Sequence, residues 1–241
     1  MDKYKLLRGD PLIINNKIKF KQPKLGEICD YGFNKYLSMV SLFCSTPYDL
    51  KVPLLDVFNI DYEKITWFEL FRMNRFQINN YDTSILIEGI DFNNLQEVEK
   101  DNKMPKSILL YDDKNDAALS EEDFLQIANF LRKAHNYPKE EYRFMNEQTK
   151  KYVIDMERRR LKRKQDKEDD SFYDYISGII VSTQSLESYK AIWDLTMYQF
   201  TNYINRYEKI RNANALLGGM YSGVIDGSKI NKKDLSIYET L

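Results

Sequence analysis

The densest chemistry in this sequence is the run Arg158-Arg159-Arg160-Leu161-Lys162-Arg163-Lys164, six basic residues in seven, followed by Lys167 and then Glu168-Asp169-Asp170. Cations at this density attract phosphates by releasing condensed counterions, so a nucleic-acid backbone is one partner they would take. No aromatic or base-reading residues are interleaved with them, and acids follow directly. A solvated helix with internal charge compensation fits the same pattern better. An acidic protein segment is a third match for these charges. Arg158, Arg159, Arg160, Lys162, Arg163 and Lys164 are therefore the candidate partner-binding residues.

Other reactive groups offer less. His135 is the single histidine; it stands at the expected end of a helix with no Ser or Cys motif beside it, and reads as an exposed helix-end residue. One His with two separated Cys excludes a His/Cys zinc cluster. Cys29 and Cys44 lie in apolar helical contexts and read as buried, reduced thiols. Asp112, Asp113 and Asp116 offer oxygen ligands to a hard cation, but the EF-hand pattern is missing, and Asp112 to Asp116 reads as a turn held by local side-chain hydrogen bonds. Gly218, Gly219 and Gly223 are not followed by the Gly-Lys-Ser/Thr of a phosphate loop. The residues thus predict no catalytic site, no cofactor and no metal.

Three helix starts share one capping chemistry that would position these groups. Thr196 with Gln199, Thr66 with Glu69 and Ser120 with Asp123 each form a capping box, and Leu195/Phe200 and Ile65/Leu70 can close over it as hydrophobic staples. Behind Thr196, the residues Phe200, Tyr203, Ile204, Tyr207 and Arg211 recur on one helical face, predicting a core helix to about Ile210. The glycines of Leu216 to Gly223 predict a turn or packed loop there, and the polar tail from Asp226 to Leu241 a poorly ordered end. Behind Ser120 the stripe is Phe124, Ile127, Ala128 and Leu131, ending at Asn136-Tyr137-Pro138.

Leu12-Ile13-Ile14, Asn15-Asn16 and Lys17 to Lys21 predict a β-hairpin with one basic, wet face. Leu25 to Ser45 reads as mostly helical, with Gly32 weakening its continuity, and Tyr48 to Ile60 as a short helix and turn. Ile85-Leu86-Ile87, Leu95 to Val98, Ser107 to Tyr111 and Ala117 to Leu119 predict a small antiparallel meander. Glu147 to Lys167 predicts a charged surface helix whose thin apolar line is Tyr152, Val153, Met156 and Leu161. Ser171 caps a stripe of Phe172, Tyr175, Ile176, Ile179 and Ile180, and Leu186 to Trp193 continues the helical region.

These elements predict a predominantly helical α+β protein, with an N-terminal hairpin, a mid-chain meander and a helical C-terminal half. Residues 1–145 would form a mixed domain and residues 146–241 a helical region carrying the basic helix, or the whole would be one continuous domain. With 43% hydrophobic and 14% aromatic residues, the 241-residue chain can fill such cores. Its 36 basic residues against 37 acidic ones give no bulk attraction to nucleic acid or membrane. The N-terminus lacks an apolar core of signal-peptide length, and no window reaches the roughly 18 apolar residues of a spanning helix.

Several stretches carry a family resemblance. They are Leu6 to Leu12 leading into Ile14-Asn15, Gln22 to Ile28, Asn59 to Ile65 running into Phe68 to Phe71, Gly89 to Phe92, the charged helix before Ser171, Trp193 to Phe200, and Gly219 to Gly223. Together they resemble the tail assembly chaperones of phages and prophages of low-GC Gram-positive bacteria, over nearly the whole chain. The resemblance implies a non-enzymatic protein of the bacterial host cytoplasm. It would bind the long helical tape measure protein, with the tail tube protein and a second copy of itself as further partners, and would use neither nucleic acid nor membrane. A structural or morphogenetic virion protein, and a host-directed effector binding nucleic acid or a defence protein, are the alternatives.

Overall fold

The computed structural model describes residues 3–100, 107–137, 146–164, 171–182 and 189–236. Helix α1 (Lys3–Arg8) leads into strands β1 (Leu12–Ile14) and β2 (Ile18–Phe20). Asn15 and Asn16 turn the hairpin at φ 51° and 55°, as expected of residues that tolerate the left-handed region. A third strand, β3 (Ile87–Glu88), pairs antiparallel with β2, placing Glu88 opposite Lys19. Glu88 then sits 3.1 Å from Lys19 and 3.2 Å from Lys21, so the basic face of the hairpin is partly neutralised.

The long helix expected from Leu25 is broken into α2 (Leu25–Tyr31) and α3 (Phe33–Cys44) by Gly32 at φ 101°. Helix α3 is the centre of the main core: Tyr36, Met39, Val40, Phe43 and Cys44 share one face and are fully buried. Phe43 meets Phe20 edge-on at 5.8 Å, Phe92 edge-on at 5.5 Å and Phe71 at 5.3 Å. Helices α4 (Lys51–Asp56) and α5 (Trp67–Asn74) follow, the latter started by Thr66, whose hydroxyl accepts the Glu69 N–H at 3.2 Å while Glu69 accepts the Thr66 N–H at 2.7 Å. A 3-10 stretch, Arg75–Asn80, extends α5.

The second sheet contains β4 (Gln96–Lys100), β5 (Ser107–Asp112) and β6 (Ala117–Leu119), all antiparallel. Three of the four expected meander segments are in it. The fourth was misplaced: Thr83–Ile85 is a 3-10 turn and Ile87 belongs to the N-terminal sheet, where it is the register partner of Phe20 and both are buried in the main core. Helix α6 (Glu121–Ala134) buries Phe124, Ile127, Ala128, Phe130, Leu131 and Ala134, with Phe124 stacked on Phe71 at 4.5 Å.

Helices α7 (Glu147–Lys164), α8 (Ser171–Ser182), α9 (Tyr189–Trp193) and α10 (Met197–Tyr221) complete the helical C-terminal half. Lys167 to Asp170, Pro138, Leu186 and the end of the tail lie outside the described residues. Ile176 and Ile179 of α8, Ile192 of α9, and Met197, Phe200 and Ile204 of α10 join the main core. Phe172 stacks on Phe33 at 3.7 Å and meets Phe200 at 6.0 Å.

Helix α10 corrects two expectations. It does not end near Ile210 but continues through both glycines to Tyr221. Its stop is Gly223 at φ 72°, whose N–H donates to the Met220 carbonyl at 3.1 Å while the Val224 N–H donates to Gly219 at 3.0 Å. This is a Schellman closure, which needs a residue at ease in the left-handed region. Gly219 stays helical with Ile225 packed so close that a Cβ would lie 2.4 Å from its Cδ1. The described tail carries two 3-10 turns, Gly227–Lys229 and Lys232–Leu235, capped by Asp226 and Asn231.

Candidate protein-binding surface

The basic run falls on α7, and the structure divides it. Arg158 faces α4: its Nε donates to Asp56 Oδ2 at 2.9 Å, its Nη2 to the other Asp56 oxygen, and its Nη1 to Asp155 at 2.6 Å. The hydrogen bond from Arg158 holds the Asp56 carboxyl below the usual carboxylate range. Arg160 pairs with Glu157 on its own helix at 2.6 Å. Arg159, Lys162 and Arg163 are exposed and make no ion pair among the described residues. The side chain of Lys164 lies outside them.

The contact that docks this helix is not apparent from its sequence. Lys150, the start of an i, i+4, i+8 line with Ile154 and Arg158, is buried and sits 2.8 Å from Asp61 and 2.8 Å from Glu63. Burial opposes its charge, but the two carboxylates outweigh that and raise its pKa above the ordinary lysine value. The hydrogen bond from Lys150 in turn lowers the Asp61 carboxyl. Asp61 also caps the 3-10 turn Tyr62–Lys64 by accepting the Glu63 N–H at 3.2 Å, so the receptor for Lys150 is preformed.

Ile154 then completes a second, smaller core with Val52, Leu54, Tyr62 and Leu70. The expected apolar line of Tyr152, Val153, Met156 and Leu161 is therefore not the packed one: Tyr152 is 65% and Met156 47% exposed. Lys and Arg stems cover apolar surface while their heads find carboxylates, so hydropathy alone hides such a face. No residue near Lys150 in sequence betrays Asp61 and Glu63, which lie 89 and 87 positions away.

The remaining candidates have structural roles. His135 is not exposed: its Nδ1 bonds the Leu131 carbonyl at 2.8 Å and its Nε2 the Tyr36 hydroxyl at 2.8 Å. A carbonyl only accepts, so Nδ1 carries the proton and Nε2 accepts from Tyr36. Burial pushes the pKa of His135 down to about 4. Asp112 is fully buried and accepts from the Asp91 N–H at 2.6 Å, the Lys114 N–H at 3.1 Å and the Asn115 amide at 2.7 Å, which is the turn the sequence implied. Asp116 takes Lys17 and the Tyr111 hydroxyl, tying the two sheets together. Among the described residues no group of His, Cys, Asp or Glu is arranged to hold a metal. Cys44 is buried and its thiol pKa raised by burial, whereas Cys29, expected to be buried, is exposed; both are free.

Three of the stretches that carry the resemblance, Leu6 to Leu12, Gln22 to Ile28 and Trp193 to Phe200, meet in space. Gln199 donates to the Leu7 carbonyl at 2.8 Å, Leu25 N–H to the Leu195 carbonyl at 2.8 Å, Gln22 to the Asp10 carbonyl at 2.9 Å, and Lys24 pairs with Asp194 at 2.8 Å. At Gly89, φ 85°, a Cβ would lie 2.1 Å from the Lys17 carbonyl, so only glycine fits. These motifs build the scaffold that carries α10.

Residues 162–236, from the end of α7 through the tail, match the family model of the YomV second domain, YomV being a protein of the Bacillus prophage SPβ. The match places under a third of the chain beside a prophage domain. No curated protein and no solved structure matches the chain. Among the described residues no helix is long and apolar enough to cross a membrane.

Proposed function

We propose that this protein is a phage tail assembly chaperone that holds the tape measure protein soluble in the host cytoplasm until tail tube subunits polymerise around it, with no reaction of its own. The observation that carries this reading is the similarity of residues 162–236 to a prophage domain, joined to the resemblance of the stretches stitched around Thr196. A chaperone for a long amphipathic helix needs apolar side chains left in water beside charge. Tyr152 and Met156 on α7, Tyr173 and Val181 on α8 and Ile210 on α10 are such side chains.

Co-expression with the tape measure protein of the same phage tests it: a soluble complex is expected, and separate purification of the two would reject it. A virion component is the second reading, favoured if mass spectrometry finds the protein in purified particles. The nucleic-acid form of the effector reading is weaker, since Arg158 and Arg160 are engaged with carboxylates and Arg159, Lys162 and Arg163 are what remains exposed of the run among the described residues.

A further inference from the structure

Arg72 at the end of α5 and Arg75 one turn on both reach Glu97 of β4, the first through Nη2 and the second through Nη1 at 2.7 Å. Arg75 also donates to the Arg72 carbonyl at 2.6 Å and lies 4.2 Å over the Phe76 ring. Two guanidinium groups thus share one carboxylate, leaving a unit of positive charge on side chains only 21% and 13% exposed. Among the described residues the Nε–H of each is buried and finds no acceptor. One carboxylate balances only one of the two charges, and a second carboxylate meeting the exposed part of the guanidinium pair would balance the other.

The surroundings are mixed: Lys64 and Glu69, whose charges offset each other, stand beside apolar side chains. Arg72, Arg75 and Glu97 line a cleft of about 470 Å³ with Ile60, Ile65, Met73 and Phe76. Met73 also borders a neighbouring cleft of about 280 Å³ that includes Leu42, Leu54 and Phe58. Met73, Phe76 and Phe58 are 42%, 64% and 55% exposed, so an adaptable thioether stands on the saddle between two clefts with an aromatic ring on either side. Bare phosphate has no use for those rings.

We propose that this double cleft docks an amphipathic helix of the protein partner, with a Glu or Asp of that helix on Arg72 and Arg75 and its apolar side chains, three and four residues away, on Met73, Phe76 and Phe58. The inference rests on the protein-binding reading above and names the surface that performs it. It is separate from the exposed basic edge of α7.

The test has two arms. The ¹⁵N-labelled full chain is titrated with 4-phenylbutyrate and with 4-phenylbutylamine while the arginine Nε–H resonances are followed. Saturable shifts of the Arg72 and Arg75 signals with the carboxylate alone, lost in Met73→Glu, are expected; no shift, or an equal response to the amine, overturns the cleft. In the second arm, Met73→Glu and Phe76→Glu, both at exposed positions, are co-expressed with the tape measure protein, and at least about a tenfold loss of complex is expected. Probe binding without any capture by the wild-type chain rejects the chaperone reading but keeps a carboxylate-binding cleft. Capture unchanged in both variants rejects the cleft as the partner's seat, whatever the probe does.

Discussion

The hydroxyl of Tyr36 on α3 donates to Nε2 of His135, at the end of α6, across 2.8 Å. The arrangement needs a neutral ring, since a doubly protonated imidazole has no acceptor. The folded pKa of His135 is about 4 against 6.5 for the free group. A histidine depressed in the fold gives its full stability above the unfolded value, and that stability falls as pH drops from about 6.5 to about 4 while only the unfolded chain takes up the proton. Up to about 3 kcal/mol is expected to disappear across that window. Urea unfolding at pH 7 and pH 5 measures it; a His135→Gln chain should lack that part of the slope.

Lys150 should behave in the opposite sense. Replacing it with Ala leaves Asp61 and Glu63 facing each other without a cation and loosens α7. Because both carboxylates are about a third exposed, the loss is expected at about 1–3 kcal/mol rather than that of a fully buried pair. Hydrogen exchange of residues 150–158 reports it directly. Asp61 is depressed, so its share is present above the ordinary carboxylate range near 4 and lost on acidification; Lys150 is raised, so its share persists until pH climbs beyond the ordinary lysine value near 10. Docking of α7 should therefore be level between those limits.

Gly89→Ala is expected to cost at least about 2 kcal/mol, since a left-handed backbone and a clash with the Lys17 carbonyl act together. Thermal unfolding of the purified variant decides this; a neutral outcome would mean that the hairpin can slide away from β3.

Reversing the exposed edge with Arg159→Glu, Lys162→Glu and Arg163→Glu should leave stability within about 0.5 kcal/mol. Association with an acidic partner should slow, and the difference should vanish at high salt. For duplex DNA, three cations support a log–log salt slope no steeper than about −3. A steeper one in the wild-type chain would revive the nucleic-acid reading.

What the sequence revealed was local. The boxes at Thr66, Ser120 and Thr196 all form, because donor and acceptor lie three residues apart and compete only with water. Asn15-Asn16 marked its hairpin for the same reason. What stayed hidden depends on distant partners: Ile87 joins a hairpin about seventy residues earlier in a strand of only two residues, and the stop of α10 is a property of Gly223 rather than of the two glycines inside the helix. At the candidate surface the cluster of cations was plain in sequence, but which of them are used up was not. That division follows from Asp56, far back in the chain, and from Lys150, which looked like any other surface lysine. Arg72 and Arg75, at i and i+3 after a capped start, carried a signal that spacing alone could have raised.

The bond from Gln199 to the Leu7 carbonyl joins residues 192 positions apart. During translation, α1 is therefore made long before its seat exists. At ordinary bacterial rates the gap is on the order of ten seconds or more. Throughout it, Leu6, which ends almost wholly buried, has no α10 to cover it, so closure of the N-terminus is an event of late synthesis. A truncated product lacking α10 would leave this first segment unclosed.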